Sequence, residues 1–268
     1  MENKIRVIIT GAAGRMGREM SKGLLQSPGV EVVGAVDRVG LGQDIGTLNG
    51  LPALGIAISD NLEEVINKAR PRVMVDFTVA EAAYHNARIA INHGVSPVIG
   101  TTGMDRSQID ELHILCEEKQ IGAVIAPNFA LGAVLMMLFA RQAARFLPQV
   151  EVIEIHHDGK LDAPSGTALK TIDMIADARP DTPQPSRIEQ EKAPGSRGGC
   201  YRDVRVHSLR LPGAVAHQEV IFGGLGQLLT IRHDTTSREA FLPGVLLAIE
   251  KVINLKGVVF GLENLLDL

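Results

Sequence analysis

The stretch KIRVIITGAAGRMGREMSKGLLQSPGVEVVGAVD, residues 4–37, decides the fold. An apolar, β-branched run over residues 4–10 leads directly into GAAGRMG and then into a segment with helical periodicity. A second run of the same kind, Val30–Val36, stops at the acidic residue Asp37. Strand, glycine-rich turn, helix and strand in this order predict a βαβ unit, and therefore a parallel sheet.

The same alternation continues through the first half of the chain. Strands are predicted over residues 4–10, 30–36, 72–76, 96–99 and 122–126, with helices over 14–26, 62–68, 80–93 and 105–119. Residues 41–58 are irregular, with one short strand. The predicted fold is α/β, with a Rossmann-type doubly wound parallel sheet that binds its ligand where the carboxyl ends of the strands open into a crevice.

The pattern changes after Pro127, where a second domain is predicted. An apolar helix (131–146), a strand (151–157) and a helix (165–178) precede a Pro-rich, charged surface loop (179–199). Three alternating runs at 201–211, 215–222 and 227–234 predict an open, mostly antiparallel sheet, so this domain is α+β. We expect a dinucleotide-binding domain at 1–130, a substrate-binding domain at 131–238, and a tail, 239–268, that packs back on the first domain.

The composition restricts the possible functions. The 268 residues are 45% hydrophobic and 22% charged, with a net charge of -4, which indicates a globular protein and disfavours a nucleic-acid-binding surface. The start lacks the pattern of a secretory signal, and the apolar stretch 129–140 is shorter than the roughly 20 residues of a membrane span. Cys116 and Cys200 are too few for a metal site. We therefore expect a cytoplasmic protein without metal, nucleic-acid or membrane partners.

GAAGRMG has the placement of a dinucleotide-binding loop. Glycines let the backbone approach a pyrophosphate, which then lies at the helix N-terminus. The spacing is GxxGxxG, with Ala12 where the common GxGxxG fingerprint has a glycine. A tight turn that binds nothing is the alternative interpretation. The residues predicted to contact the cofactor here are Gly11, Ala12, Ala13, Gly14, Arg15 and Met16.

Asp37 and Arg38 bear on the choice of coenzyme. A carboxylate at the end of the second strand can accept hydrogen bonds from a ribose, which favours NADH. Arg38 is either a partner for the 2′-phosphate of NADPH or a solvated surface charge, so both coenzymes stay open. Two further turns at the carboxyl edge suit a nicotinamide riboside, although each alone is an ordinary βα turn. Their residues are Gly100, Thr101 and Thr102, and Ala126, Pro127, Asn128 and Phe129.

The segment EIHHDGKLDAPSGTAL, residues 154–169, carries the chemistry. The amides of Gly166 and Thr167 at a helix N-terminus can hold one carboxylate of a small dianion, and Lys160 with His157 can attract the other. Either His156 or Lys160 can deliver a proton. The alternative is structural, because adjacent strand residues point to opposite faces and the lysine could be a solvated surface group.

These segments resemble a known enzyme family. GAAGRMG, GTTG, APNF, EIHHDGKLDAPSGTA, HQEVIFGGLGQLLTIRH and the closing GLENLLDL are similar to the 4-hydroxy-tetrahydrodipicolinate reductases, also called dihydrodipicolinate reductases, of lysine and diaminopimelate synthesis. The resemblance implies NADH- or NADPH-dependent reduction of a cyclic dicarboxylate and a homotetramer formed through the second domain. It implies His156 as proton donor or acceptor, Lys160 as proton donor, His157, Gly166 and Thr167 as substrate ligands, and the residues named above as cofactor contacts.

One segment departs from the family, and two rival functions remain. LPGAVAHQE, residues 211–219, lacks the Gly-Glu-His wording of many relatives, so His217 receives no role. An aspartate or aspartate-semialdehyde dehydrogenase has the same architecture, but the latter needs a catalytic cysteine, and neither Cys116 nor Cys200 lies in a convincing context. The other rival is a non-catalytic nicotinamide sensor, against which an intact His156 and Lys160 argue.

Overall fold

The computed structural model describes residues 4–180 and 190–267. The chain divides into two compact units, Met1–Leu131 with Arg238–Leu268, and Gly132–Ser237. The strands are β1 (Ile5–Thr10), β2 (Val30–Val36), β3 (Ile58–Ser59), β4 (Val73–Asp76), β5 (Ser96–Ile99), β6 (Gly122–Ile125), β7 (Gln149–His156), β8 (Gly199–Tyr201), β9 (Val204–Arg210), β10 (Ala216–Gly224), β11 (Gln227–Thr235) and β12 (Gly257–Phe260). The α-helices are α1 (Arg15–Gln26), α2 (Ile45–Leu48), α3 (Leu62–Ala69), α4 (Ala80–Asn92), α5 (Arg106–Lys119), α6 (Leu131–Ala144), α7 (Gly166–Ala178) and α8 (Leu242–Val252).

The first unit contains a seven-stranded sheet in the order β12-β6-β5-β4-β1-β2-β3. Every neighbouring pair in this sheet is parallel. The chain reverses its direction of winding between β1 and β4, and the carboxyl ends of the strands on both sides of that point share one edge. The doubly wound parallel fold predicted from the sequence is confirmed, and this edge is where such sheets bind ligands.

Helices bury both faces of this sheet. The side chains of β4, β5 and β6 are buried along the whole of each strand, so these strands are mainly apolar and show no alternation of apolar and exposed polar residues. Under α4 and α5 the core includes Ile91, Leu112 and Ile125. Asp105 caps α5 and forms a capping box with Gln108, so the helix begins one residue after the predicted position.

The second unit contains a five-stranded sheet in the order β11-β10-β7-β9-β8. Only the β7–β9 pair is parallel, which agrees with the mostly antiparallel sheet that was predicted. Alternate residues of the central strands are buried on one face, together with Ile172 and Ile175 of α7. The buried strand residues include Val152, Val206, Val220 and Phe222.

Several elements differ from the sequence-based prediction. The run 201–211 is interrupted by a turn at Arg202 and Asp203, both with positive φ, so it forms parts of β8 and β9 instead of one strand. β12 was not predicted. The helical tail begins with a 3-10 turn, Arg238–Phe241, before α8. Part of the predicted surface loop, residues 181–189, lies outside the described residues. No helix of the described chain is long and apolar enough to cross a membrane.

Candidate active site

The glycine-rich turn packs tightly between β1 and α1. Gly11 has a φ of +73°, and a Cβ added to it would lie 2.7 Å from the backbone oxygen of Phe77. A Cβ on Gly17 would lie only 1.8 Å from the backbone oxygen of Gly11. Both contacts are with backbone atoms and cannot relax easily, so these two positions require glycine.

The start of α1 suits an anion. Its N-cap, Gly14, has no side chain to cap the helix, and the first turn carries no acidic residue. Gly14 and Arg15 are exposed, whereas Gly11 and Ala12 are buried and Ala13 and Met16 are half-buried. The amides of the first helical turn and the positive end of the helix dipole therefore fit a pyrophosphate.

Asp37 connects the end of β2 to the glycine-rich turn. Its Oδ2 accepts a hydrogen bond from the amide of Ala13 at 2.8 Å, and its Oδ1 accepts one from the amide of Val39 at 3.1 Å. A carboxylate can accept about four hydrogen bonds, so capacity remains for ribose hydroxyls. Arg38 is exposed beside it. These positions fit the adenosine half of a dinucleotide.

A buried carboxylate that sequence reasoning missed, Asp76, organises the carboxyl edge at the point where the winding reverses. It is fully buried and accepts hydrogen bonds from five donors. The donors are Thr10 Oγ1 (2.6 Å), the amide and Oγ1 of Thr78 (2.9 and 2.7 Å), Asn86 Nδ2 (2.9 Å) and Thr101 Oγ1 (3.1 Å). The sequence signal that could have identified Asp76 is an acidic residue at the end of a buried strand, the same signal that identified Asp37.

The remaining predicted cofactor residues lie at the ends of β5 and β6. Gly100 is required by packing, because a Cβ there would lie 2.3 Å from the ring of Phe77. Ala126 and Phe129 are buried. Asn128 is half-buried, and its Oδ1 accepts from the amide of Ala130 at 2.9 Å. Thr101 is buried, while Thr102 and Pro127 are exposed.

His156 lies at the end of β7 in the second unit. Its Nδ1 is 2.5 Å from Oε2 of Glu154, a side chain with no exposed surface. Arg210 at the end of β9 donates to both oxygens of Glu154, at 3.0 and 2.9 Å. Glu154 and Arg210 were not identified from the sequence. Glu154 was inside the quoted motif, but Arg210 is 56 residues away and comes close only through the β7–β9 pairing.

The pKa values of this pair shift downward for different reasons. Burial lowers the pKa of His156, the hydrogen bond and charge of Glu154 oppose that change, and the charges of Lys160 and Arg210 add to it. Burial alone would raise the pKa of Glu154, but hydrogen bonds from Arg210, Ser208 and His156 outweigh it, so the carboxyl group ionises below its ordinary range. Glu154 is therefore an anion at neutral pH.

Lys160 is held in the turn that follows β7. Its amide donates to the backbone oxygen of His157 at 3.1 Å, and its ammonium forms an ion pair with Asp162. Only 21% of the Lys160 side chain is exposed, whereas His157 is exposed. The charge of Lys160 contributes to the lowered pKa of His156.

The start of α7 provides a second site for an anion. Ser165 is the N-cap, and its hydroxyl accepts a hydrogen bond from the amide of Ala168 at 3.2 Å. The first turn has no acidic residue. Gly166 is exposed, with nothing within 4 Å of a Cβ added to it, and Thr167 is half-buried. The amides of Gly166 and Thr167 fit a carboxylate.

Within residues 4–180 and 190–267, no group of three or more His, Cys, Asp or Glu side chains is placed to hold a metal ion.

Two family models match consecutive parts of the chain. The dihydrodipicolinate reductase N-terminus matches residues 5–129, and the dihydrodipicolinate reductase C-terminus matches residues 132–266. A 4-hydroxy-tetrahydrodipicolinate reductase of Moorella thermoacetica is 67% identical over 265 residues, covering 98% of both chains. That of Desulfitobacterium hafniense strain DCB-2 is 51% identical, covering 98% of this chain and 99% of the relative.

Solved structures agree with these matches. A dipicolinate-bound dihydrodipicolinate reductase from Paenisporosarcina sp. TG-14 has a TM-score of 0.90 at 43% identity, covering 98% of this chain and 100% of that one. A scyllo-inositol dehydrogenase from Lactobacillus casei, at 12% identity and a TM-score of 0.64, shares the fold alone. The resemblance found in the sequence is thereby confirmed, and the chain belongs to the dihydrodipicolinate reductase family, whose members are also named 4-hydroxy-tetrahydrodipicolinate reductases.

Proposed function

We propose that this chain reduces (2S,4S)-4-hydroxy-2,3,4,5-tetrahydrodipicolinate to tetrahydrodipicolinate with loss of water, in the synthesis of lysine and diaminopimelate. Membership of the family makes the chain an NAD(P)H-dependent oxidoreductase. The observation that carries the proposal is a single loop that presents His156, Lys160 and the start of α7 within twelve residues. A small dianion that is protonated during the reaction would use all three: the helix N-terminus and the cation for its two carboxylates, and the histidine or lysine as its proton donor.

The first unit would hold the coenzyme. The pyrophosphate would lie against the amides that follow Gly14, and the adenosine ribose would hydrogen-bond to Asp37, with Arg38 beside it. The nicotinamide riboside would lie at the ends of β5 and β6, where Asp76 orients the hydroxyl of Thr101. NADH or NADPH, when bound, supplies the hydride that C4 of the substrate receives.

The second unit would hold the two carboxylates of the substrate. The amides of Gly166 and Thr167 would bind one, and Lys160 and His157 would bind the other. Two anchors fix the position and the orientation of the ring, which lowers the entropic cost of reaching the reactive geometry. The solved relative with bound dipicolinate, itself a planar dicarboxylate, supports this class of substrate.

His156 and Lys160 would stabilise the developing negative charge and supply the proton. When C4 gains a hydride, negative charge develops in the conjugated system, and a nearby ammonium stabilises it. A proton must then reach C5, the carbon between C4 and the imine carbon, and either the imidazolium of His156 or the ammonium of Lys160 can supply it. Before the hydride arrives, the C4 hydroxyl group and a proton from C5 leave as water, which creates a C4–C5 double bond conjugated with the imine.

The rival function, aspartate-semialdehyde dehydrogenase, needs a nucleophilic cysteine, and neither cysteine of this chain supports that role. Burial raises the pKa of the Cys116 thiol to about 12, so this thiol is not a nucleophile near neutral pH. Cys200 is exposed on β8 and directly follows the Pro-rich loop 179–199 that sequence analysis predicted. An aspartate-semialdehyde dehydrogenase from Vibrio cholerae shares only the fold, at 10% identity.

A direct assay tests the proposal. The substrate should be generated freshly and mixed with the purified protein and NADH or NADPH, while coenzyme oxidation is followed by absorbance. We expect turnover that depends on the substrate. A folded protein that binds NADH but does not oxidise it with this substrate would support the nicotinamide sensor instead.

We also propose a cytoplasmic homotetramer assembled through the sheet of the second unit. β11 lies at an edge of that sheet, and apolar side chains in and beside it are exposed, including Leu225, Leu228 and Leu229. Exposed apolar edge strands tend to be covered by a partner. Light scattering after size-exclusion chromatography gives the assembly state, and a monomer at micromolar concentration would contradict it. Cell fractionation tests the location.

A further inference from the structure

Glu154 is a fully buried carboxylate whose hydrogen-bond partners belong to the proposed active site. Besides Arg210 and His156, the amide of Ser165 donates to its Oε1 at 3.3 Å. Burying a carboxylate is costly unless it is paired and hydrogen-bonded. Here one arginine, one imidazole, one backbone amide and the side chain of Ser208 provide that compensation, so removing the arginine or the imidazole leaves a poorly compensated charge.

Arg210 extends the same network into the loop. Its Nη2 donates to the backbone oxygen of Asp162 at 2.7 Å as well as to Glu154. In the sheet, His156 lies between Arg210 on β9 and Ala216 on β10. The Glu154–Arg210 pair therefore connects the end of β7, the turn that carries Lys160, and the N-cap of α7.

We infer that Glu154 is a positioning residue for the reaction, and that it keeps the proton of neutral His156 on Nδ1 so that Nε2 is the atom that exchanges protons with the substrate. This inference rests on the proposed function, because it needs His156 to transfer a proton. It specifies the tautomer of His156 and gives a role to Glu154, and the family match assigns neither.

The tautomer follows from the chemistry of the pair. An ionised carboxylate only accepts hydrogen bonds, so a ring nitrogen 2.5 Å from Oε2 must carry its hydrogen. Nε2 is then an acceptor in neutral His156 and a donor in the imidazolium. The anion of Glu154 also stabilises the imidazolium, while Lys160 and Arg210 oppose it and Asp162 partly neutralises Lys160.

The chain contains a matched control on the same strand. Glu151 also binds a histidine and an arginine, since its Oε2 lies 2.8 Å from Nε2 of His207 and its Oε1 contacts Arg197. Glu151 lies on the opposite face of β7 from Glu154 and is partly exposed. The same chemical group is thus available away from the proposed site.

The first experiment is a double-mutant cycle in kcat with Glu154→Gln and His156→Ala. We expect Glu154→Gln to lower kcat by at least about 10-fold, and by no more than the 10²- to 10⁴-fold typical of a general acid or base that is lost outright. In the His156→Ala background the same change should have little further effect, because Glu154 acts through His156. Glu151→Gln should leave kcat close to that of the parent. Multiplicative losses from Glu154→Gln and His156→Ala would overturn the inference.

The pH profile supplies a readout that a purely structural residue would not move. Without the carboxylate, the imidazolium loses its stabilising partner, so the pKa of His156 should fall further. The limb of the kcat/KM profile that reports His156 should then move to lower pH in Glu154→Gln. An unchanged limb, in a variant whose folding is verified by thermal melting, would contradict the inference.

A measurement on the unmodified protein covers the case in which Glu154→Gln does not fold. Nitrogen-15 NMR of labelled protein above the pKa of His156, assigned with His156→Ala, distinguishes the two neutral tautomers. We expect hydrogen on Nδ1, and hydrogen on Nε2 would overturn the inference. This result does not depend on turnover, so it is separable from a failure of the proposed reaction in the coenzyme assay.

Discussion

The ammonium nitrogen of Lys160 lies 2.7 Å from one carboxylate oxygen of Asp162 and 2.8 Å from the other. Only 21% of the lysine side chain is exposed, against 64% of the aspartate. The cation is therefore held by a carboxylate of its own loop, which occupies the kind of contact that a substrate carboxylate would make. A substrate must share the ammonium with Asp162 or displace it.

Lys160→Met keeps the length of the side chain and removes its charge and proton. If Lys160 meets the reacting ring, kcat should fall by about 10²- to 10⁴-fold, as for a lost general acid. NADH affinity and thermal stability should stay close to those of the parent. Lys119→Met, at an exposed position on α5, is the control. A raised KM at unchanged kcat would make Lys160 a carboxylate ligand, and near-parental values of both would remove it from the mechanism.

Asp162→Asn tests the competition for that ammonium. Exposed ion pairs contribute up to about 1 kcal/mol, so removing the competing charge should lower the KM for substrate by up to about fivefold with little change in kcat. The gain should shrink as salt is added, because salt screens exposed charges. Asp158→Asn makes the same charge change at an exposed position of the same loop. An increase in KM for Asp162→Asn alone would mean that Asp162 mainly holds Lys160 in place.

Gly166→Ala separates binding from stability. The added methyl has no neighbour within 4 Å, and alanine favours a helix by up to about 1 kcal/mol over glycine, so the melting temperature should stay constant or rise. If a carboxylate lies on the amides of Gly166 and Thr167, the methyl takes part of its space, and we expect the KM to rise about tenfold. Gly29→Ala, also with open space, is the control. A parental KM would argue against this carboxylate position.

Asp37→Ala tests the choice of coenzyme. Loss of the ribose contact should weaken NADH binding by about 10- to 100-fold, the equivalent of a hydrogen bond to a charged group. NADPH should lose less, because removal of the carboxylate also removes its repulsion of the 2′-phosphate. The ratio of the two affinities, measured by fluorescence titration, is the relevant quantity, since the lost bonds to Ala13 and Val39 affect both coenzymes. Arg38→Ala should change the ratio in the opposite direction, and equal losses in Asp37→Ala would exclude this role.

The sequence was most informative where local pattern alone determines structure. The predicted bounds of β2 and β5 coincide with the observed Val30–Val36 and Ser96–Ile99. Both are mainly apolar, and turns lie at their ends. β12 has only four residues, GVVF, and it becomes a strand because β6 pairs with it, Gly257 opposite Gly122. Such a short segment has too little periodicity to be identified without its partner.

The same distinction between local pattern and long-range pairing applies to the candidate site. His156 and Lys160 stand in one short motif, so their proximity could be predicted. The network around Glu154 could not, because it depends on the register that places Arg210 beside His156. Asp76 is similar, since its donors Thr10, Asn86 and Thr101 come from three other parts of the chain. Long-range pairing, and not residue type, is the missing information.

The position of β12 has a consequence for synthesis of the protein on the ribosome. Six strands of the parallel sheet are translated before residue 126, but the seventh emerges only after the whole of the second unit. Until then the nascent chain exposes the edge of β6 and lacks the cover that α8 gives to β5 and β6. The first unit therefore starts folding first and is completed last. Throughout translation of the second unit, the unpaired edge of β6 is a binding site for a chaperone or for another nascent chain.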